Sequence, residues 1–260
     1  MISGLFVYPV KSFGGISLNE SLVEGRGLQH DRRWMLVNDS GEFMTQRTDT
    51  RLALFRTQIT HDGLIISDPN SSEIEVPFTL AGAVRTVSVW KDTVEAVQVS
   101  EGIDDWFSAR LDQRCSLVYM PDSTVRQPNL EYSVEGDRVG FADAFPILVI
   151  GEASLADLNG RLEEDLPMNR FRGNIIVSGW EPFEEDRFES LQIGNLKLRA
   201  VKPCGRCSVT ATNQETGEVG IEPLKTLATY RRGEKNVLFG AYFIPENEAQ
   251  ISVGDCIQSI

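Results

Sequence analysis

The chain has 260 residues, long enough for one large domain or two modest ones with a buried core. Hydrophobic residues at 41% and charged residues at 24% exclude wholesale disorder and fibrous repeats. A formal net charge of −13 repels phosphate backbones and anionic membrane surfaces, so nucleic acid is not an expected partner and any bound anion needs a local basic pocket.

Residues 1–10 carry no basic segment ahead of their apolar residues, so they read as an opening strand and not as a secretory leader; cytoplasm is the expected compartment. Short β-type segments follow: 34–37 before the turn 38–41, 52–60 before His61-Asp62-Gly63, and 64–67 before Asp68-Pro69-Asn70. These predict a meander of antiparallel hairpins. Around 104–111 the period becomes helical, with Trp106-Phe107 one turn from Arg110-Leu111. The polar, proline-bounded stretch 121–129 reads as a linker or mobile loop, which divides the chain into 1–120 and 121–260.

The second half opens on the longest apolar run, 145–150, far short of the ~20 residues that span a bilayer, so a buried strand is predicted and no membrane span. Residues 151–162 turn helical, with Leu155, Leu158 and Leu162 on one face and Ser154 with Asp157 approximating a capping box. Strands are predicted over 174–178 and 191–201, the latter with Leu196, Leu198 and Ala200 opposite Lys197, Arg199 and Val201. The β-branched run 208–212 reads as another strand, ending in the turn 213–217. A helix over 224–231 and strands over 240–244 and 250–260 complete a mainly β chain with a few helices.

Four cysteines in this length do not make a disulfide scaffold. Cys204 and Cys207 in Lys202-Pro203-Cys204-Gly205-Arg206-Cys207 fit several chemistries: a redox dithiol, half of a zinc site, a single metal-ligating or nucleophilic thiolate, or two plain thiols in a hairpin. The strand-like residues after Cys207 speak against a thioredoxin-type dithiol, which opens a helix. Only His30 and His61 could add imidazole ligands, which speaks against zinc.

Basic residues gather in islands beside predicted strand ends: Lys11-Ser12, Arg32-Arg33, Arg170 to Asn174, and Lys202 to Arg206. With Gly14-Gly15, Gly173 and Gly205, where backbone N–H groups could approach a ligand, they suggest recognition of a phosphorylated small molecule. No phosphate-loop or dinucleotide fingerprint is present, so a standard ATP or NAD site is not expected.

Six motifs occur in an order that resembles the MOSC-domain molybdoenzymes, the mitochondrial amidoxime-reducing component and its bacterial counterparts among them. They are Tyr8-Pro9-Val10-Lys11-Ser12, Asp31-Arg32-Arg33-Trp34, residues 152–159, Phe171-Arg172-Gly173-Asn174, Cys204-Gly205-Arg206-Cys207, and residues 238–243. The resemblance implies an N-terminal β-rich domain and a C-terminal MOSC β-barrel with molybdopterin between them. It implies that Cys207 ligates molybdenum while Cys204 is only a neighbour. Lys11, Ser12, Arg32, Arg172 and Asn174 match positions that hold the pterin and its phosphate; Asp143, Gly205, Arg206 and Tyr242 match positions near the metal. Gly173 stands where mitochondrial relatives have proline, and Gly205 replaces a serine.

By the same resemblance the expected function is reduction of N-hydroxylated compounds, amidoximes and hydroxylamines, at a molybdenum cofactor. Neither a membrane anchor nor an iron–sulfur domain is visible, so electrons are expected from a separate ferredoxin-, flavin- or cytochrome-type partner. The alternative is a cofactor carrier or a sulfur-transfer protein with a persulfide on Cys207.

Overall fold

In the opening strand, Ile2–Val7, a bulge between Ile2 and Gly4 breaks strict alternation, which lets Ile2, Leu5 and Val7 all be buried. The computed structural model describes residues 1–79 and 82–260. Ile2–Val7 lies inside an eight-stranded sheet. From edge to edge the order is Ile257–Ser259, Ser190–Ile193, Leu196–Gly205, Leu238–Pro245, Ile147–Gly151, Ile175–Val177, Ile2–Val7 and Ile16–Leu18. Ile147–Gly151 and Ile175–Val177 run parallel, with the helix Glu152–Asn159 in the connection between them; the other pairs are antiparallel.

Ile147–Gly151 is buried at every position because the sheet is covered on both faces. On one face Val149, Ile175, Leu5, Leu196 and Phe243 belong to one large core. On the other, Leu148, Ile150, Ile176, Phe171 and Phe239 pack together, the two phenylalanine rings stacked at 4.1 Å.

A four-stranded antiparallel sheet runs Trp34–Asn38, Cys115–Tyr119, Asp92–Gln98, Val84–Val89, and a three-stranded meander runs Arg56–Ile59, Gly63–Ser67, Glu73–Pro77. The helix Glu101–Leu111 starts where the Ser100 hydroxyl accepts from the Ile103 amide, and it buries Phe107 against Phe13 and Phe55. A last sheet joins the ends of the chain, Ala249–Ser252 pairing with Glu20–Glu24, which pairs with Gly27–Leu28.

Several local expectations are corrected. Residues 52–60 are not one strand: a 3-10 turn, Thr50–Leu54, precedes Arg56–Ile59, because the Asp49 carboxylate accepts from the Arg51 amide and starts a helical turn. Residues 191–201 form a hairpin, broken at Gly194 (φ 55°). Residues 208–212 are not a strand. They form the 3-10 turn Ser208–Ala211, in which both the amide and the hydroxyl of Thr210 donate to the Cys207 carbonyl, at 3.1 and 2.9 Å. Ser154 caps nothing: its hydroxyl donates to the buried Glu185 carboxylate at 2.8 Å and accepts from the Phe183 amide. The stretch 250–260 contains two strands separated at Gly254 (φ 97°). Residues 121–129 are irregular but fastened, since the buried Arg126 donates to Asp92 and to the carbonyls of Gly140 and Ala142.

Candidate functional site

The loop after the opening strand is fixed by the Val10–Trp34 bridge, which sets Lys11 and Ser12 beside the turn that carries Arg32. The chain leaving the helix Glu152–Asn159 brings Arg172 and Asn174 to the same place just before Ile175–Val177. Leu196–Gly205 ends there with Arg206 and Cys207, and Tyr242 comes from the neighbouring strand, paired with Lys202. Lys11, Ser12, Arg32, Asp143, Arg172, Asn174, Gly205, Arg206, Cys207 and Tyr242 thus wall a single cavity. Ser12, Arg32 and Arg172 adopt left-handed backbone (φ 71°, 48° and 55°), a conformation costly for these residues.

At one side of the cavity Asp143 bridges two cations: Lys11 Nζ at 2.5 Å and Arg47 Nη2 at 2.9 Å. Burial opposes the charge on Asp143, but these cations outweigh it and hold the carboxyl well below the usual range. Lys11 also donates to the Phe141 carbonyl, and burial lowers its pKa despite Asp143. The same Arg47 Nη2 lies 3.2 Å from Cys207 Sγ. Cys207 is half-buried, and the Thr210 bonds to its carbonyl fix the backbone from which the sulfur projects.

Opposite charges are scarcer on the other side. The Tyr8 ring lies between the guanidinium groups of Arg32 and Arg172, at 4.2 and 4.3 Å from its centroid. Arg32 donates to buried Asp31 at 2.6 Å and to the Arg172 carbonyl; Arg172 donates to the Phe13 carbonyl at 2.7 Å. Burial and the nearby Arg32 push Arg172 down to about 10. Arg206 donates to Cys204 Sγ at 2.9 Å and to the Phe171 carbonyl, while its buried Nε has no partner. Burial, then Cys204, raises the Tyr242 phenol. Five cations meet only two carboxylates, Asp31 and Asp143, and this arrangement suits an anionic ligand.

The basic islands therefore divide. Arg33 is spent on the Met120 carbonyl and Asp122, and Arg170 on the carbonyls of Thr210 and Glu222. Lys202 lies over the Tyr132 ring, outside this cavity. The Asn174 amide lines the cavity but is engaged between the Leu148 amide and the Phe6 carbonyl. Three of the glycines make room for protein and not for a ligand: a Cβ on Gly15 would meet the Tyr8 ring at 2.5 Å, one on Gly14 the Phe55 carbonyl at 3.0 Å, and one on Gly173 the Ile150 side chain at 2.8 Å. Thr45 and Arg47, which complete the wall, stand singly in the sequence and belong to no basic island; the Thr45 hydroxyl accepts from Arg47 Nη1. Among the described residues no three His, Cys, Asp or Glu side chains gather as a metal cage. A soft sulfur donor beside an excess of fixed cations fits a metal carried by an anionic organic group. All four cysteines are free. No helix among the described residues is long and apolar enough to cross a membrane.

Residues 1–114 match the MOSC N-terminal beta barrel domain and residues 136–258 the MOSC domain. The mitochondrial amidoxime-reducing component 1 of Homo sapiens is 33% identical over 98% of this chain and 81% of its own length. The mitochondrial amidoxime reducing component 2 of Rattus norvegicus is 31% identical, with 98% and 81% covered. The molybdenum cofactor sulfurase of Oryza sativa subsp. japonica is 30% identical over 99% of this chain, which spans 34% of that protein. Among solved structures, the YUAD protein from Bacillus subtilis aligns over 98% of this chain and 92% of its own at TM-score 0.41 and 11% identity. A mainly β chain with these two domains in this order, and this identity along nearly its whole length, belongs to the family of the mitochondrial amidoxime-reducing components.

Proposed function

We propose that the protein is a molybdenum cofactor-dependent oxidoreductase that reduces N-hydroxylated compounds, amidoximes and hydroxylamines, with electrons from a separate ferredoxin-, flavin- or cytochrome-type partner. The observation that carries this reading is the half-buried Cys207 sulfur facing a cavity walled by Lys11, Arg32, Arg47, Arg172 and Arg206. When bound, molybdopterin supplies the two-electron exchange at the N–O bond. Cys207 would ligate the molybdenum. Arg32 and Arg172, both stacked on the Tyr8 ring, would hold the phosphate, with Ser12 within the same wall. Arg206, with its free buried Nε, and Tyr242 would face the pterin. Asp143 stays ionised at neutral pH, so its part is to fix Lys11 and Arg47 and not to donate a proton. Overall, the substrate R–NHOH takes up two electrons and two protons and yields R–NH2 and water.

A division at 1–120 and 121–260 and a cytoplasmic location belong to the same proposal. Benzamidoxime reduction by cofactor-loaded protein with an artificial electron donor tests it. Benzamidine formation is expected from the unaltered protein and not from a Cys207→Ser variant. Absence of product from protein that holds its cofactor would overturn it. The similarity to a molybdenum cofactor sulfurase favours a second reading, sulfur transfer through a Cys207 persulfide. In that case mass spectrometry finds an added sulfur atom on Cys207 and no turnover accompanies it.

A further inference from the structure

Trp90 sits at φ 57° in the two-residue turn between Val84–Val89 and Asp92–Gln98. A large aromatic side chain is costly there, where glycine or asparagine is the usual occupant. Its indole Nε1 donates to Asp143 Oδ1 at 3.3 Å, the Arg47 guanidinium lies 4.4 Å from its ring centroid, and Phe43 packs at 5.1 Å. The residue nevertheless stays 45% exposed. The strained turn thus holds a half-exposed indole against Arg47, which touches the Cys207 sulfur, and against Asp143, which pairs with Arg47.

Trp90 also walls a second cavity of about 490 Å³, which shares Asp143 and Phe145 with the first. This is the size of a small-molecule site. Lys202 lines it, its Nζ 3.7 Å from the Tyr132 centroid and 5.7 Å from that of Phe145. Among the described residues Lys202 has no carboxylate within ion-pair distance and no hydrogen-bond partner. Apart from Lys91, the other charges in the lining are paired: Arg126 with Asp92 at 2.8 Å, and Asp143 with Lys11 and Arg47. Exposed Lys91 adds to the positive side. In a chain with 38 acidic and 25 basic residues, a cation on an aromatic floor, in a cavity that meets the Cys207 cavity at Asp143 and Phe145, stands without an anion.

We propose that this second cavity is a substrate subsite for an aryl carboxylate, with Trp90 as its aromatic wall and Lys202 as the counter-ion. The far end of the same molecule then reaches the Asp143 side of the Cys207 cavity, where the N–O group reacts. That last step rests on the proposed function; recognition of the carboxylate does not.

Calorimetric titration of cofactor-loaded protein with 4-carboxybenzamidoxime and with benzamidoxime tests the subsite. The carboxylate is expected to bind about tenfold tighter, the worth of one charge-assisted contact, and the margin should shrink as salt is raised. Lys202→Met should abolish the margin, Lys202→Arg should retain much of it, and Trp90→Leu should weaken both ligands. In turnover the preference should sit in KM and not in kcat. Equal affinities in the unaltered protein, or a margin that survives in Lys202→Met, would overturn the subsite. Reduction of both compounds without preference removes the subsite and leaves the proposed reaction standing. Preference in binding without reduction of either does the reverse.

Discussion

Arg47 reaches the Cys207 sulfur across 160 positions of sequence, and through Asp143 it ties that sulfur to Lys11. Of the cations in the motifs, Lys11, Arg32, Arg172 and Arg206 converge on one cavity while Arg33 turns away to Asp122; Arg47 carries no such signal, being a single arginine beside threonines that only the fold brings in. Tyr8 belongs to a motif, yet its place between two guanidinium groups follows from packing. Gly15→Ala should force the Tyr8 ring from that place, since the new Cβ would stand 2.5 Å from it. Destabilisation of about 1–3 kcal/mol and a looser hold on anions are expected, read by thermal melts with and without inorganic phosphate. The four thiols should differ in reactivity. At pH 8 iodoacetamide should label Cys256 first and Cys207 next in cofactor-free protein, and reach buried Cys115 and Cys204 only on unfolding, as mass spectrometry of digests would show. Burial pushes Cys115 up to about 11 from its ordinary 9. Between those values the unfolded chain loses this proton and the folded protein keeps it. Stability should therefore hold below pH 9 and fall by about 2–3 kcal/mol as pH rises to 11. A Cys115→Ala variant should show a flatter alkaline limb in denaturant titrations.

At the scale of elements, alternation located the long strands, because a half-buried strand must alternate. It failed where a side chain competes for the backbone. Residues 208–212 have strand-like composition, but the Thr210 hydroxyl and amide turn back onto the Cys207 carbonyl and close a 3-10 turn. That turn begins immediately after the thiol, so the expected strand was an unsound ground against a dithiol; the free, arginine-paired sulfurs of Cys204 and Cys207 now describe the pair better. Thr210→Val keeps the shape and loses the hydroxyl bond. A loss of about 1 kcal/mol is expected in urea unfolding, with faster alkylation of Cys207 in the cofactor-free protein. Unchanged Cys207 reactivity would show that the turn does not position the sulfur. The capping role read for Ser154 failed for a related reason: its partner, Glu185, lies 31 positions away and is invisible to a local pattern.

For the whole molecule, motif order and β-rich composition made the architecture legible, while the interleaving of the two halves was not. Ile2–Val7 pairs with Ile175–Val177, and Glu20–Glu24 with Ala249–Ser252. The segment 121–260 produced alone would expose these edges and the apolar faces behind them. It should aggregate or melt without a cooperative transition, whereas co-production with 1–120 should restore one; a cooperative melt of 121–260 alone would show that the shared strands are dispensable. The molecule carries −13 overall yet concentrates cations in one cavity. A basic pocket with one reachable thiol is the arrangement on which the proposed anionic, metal-bearing cofactor depends. Its most direct test is the molybdenum and pterin content per chain, by elemental analysis and by fluorescence of the oxidised pterin, on protein purified from a host that makes the cofactor. Values near one are expected for both; folded protein from that host with neither would overturn the cofactor assignment.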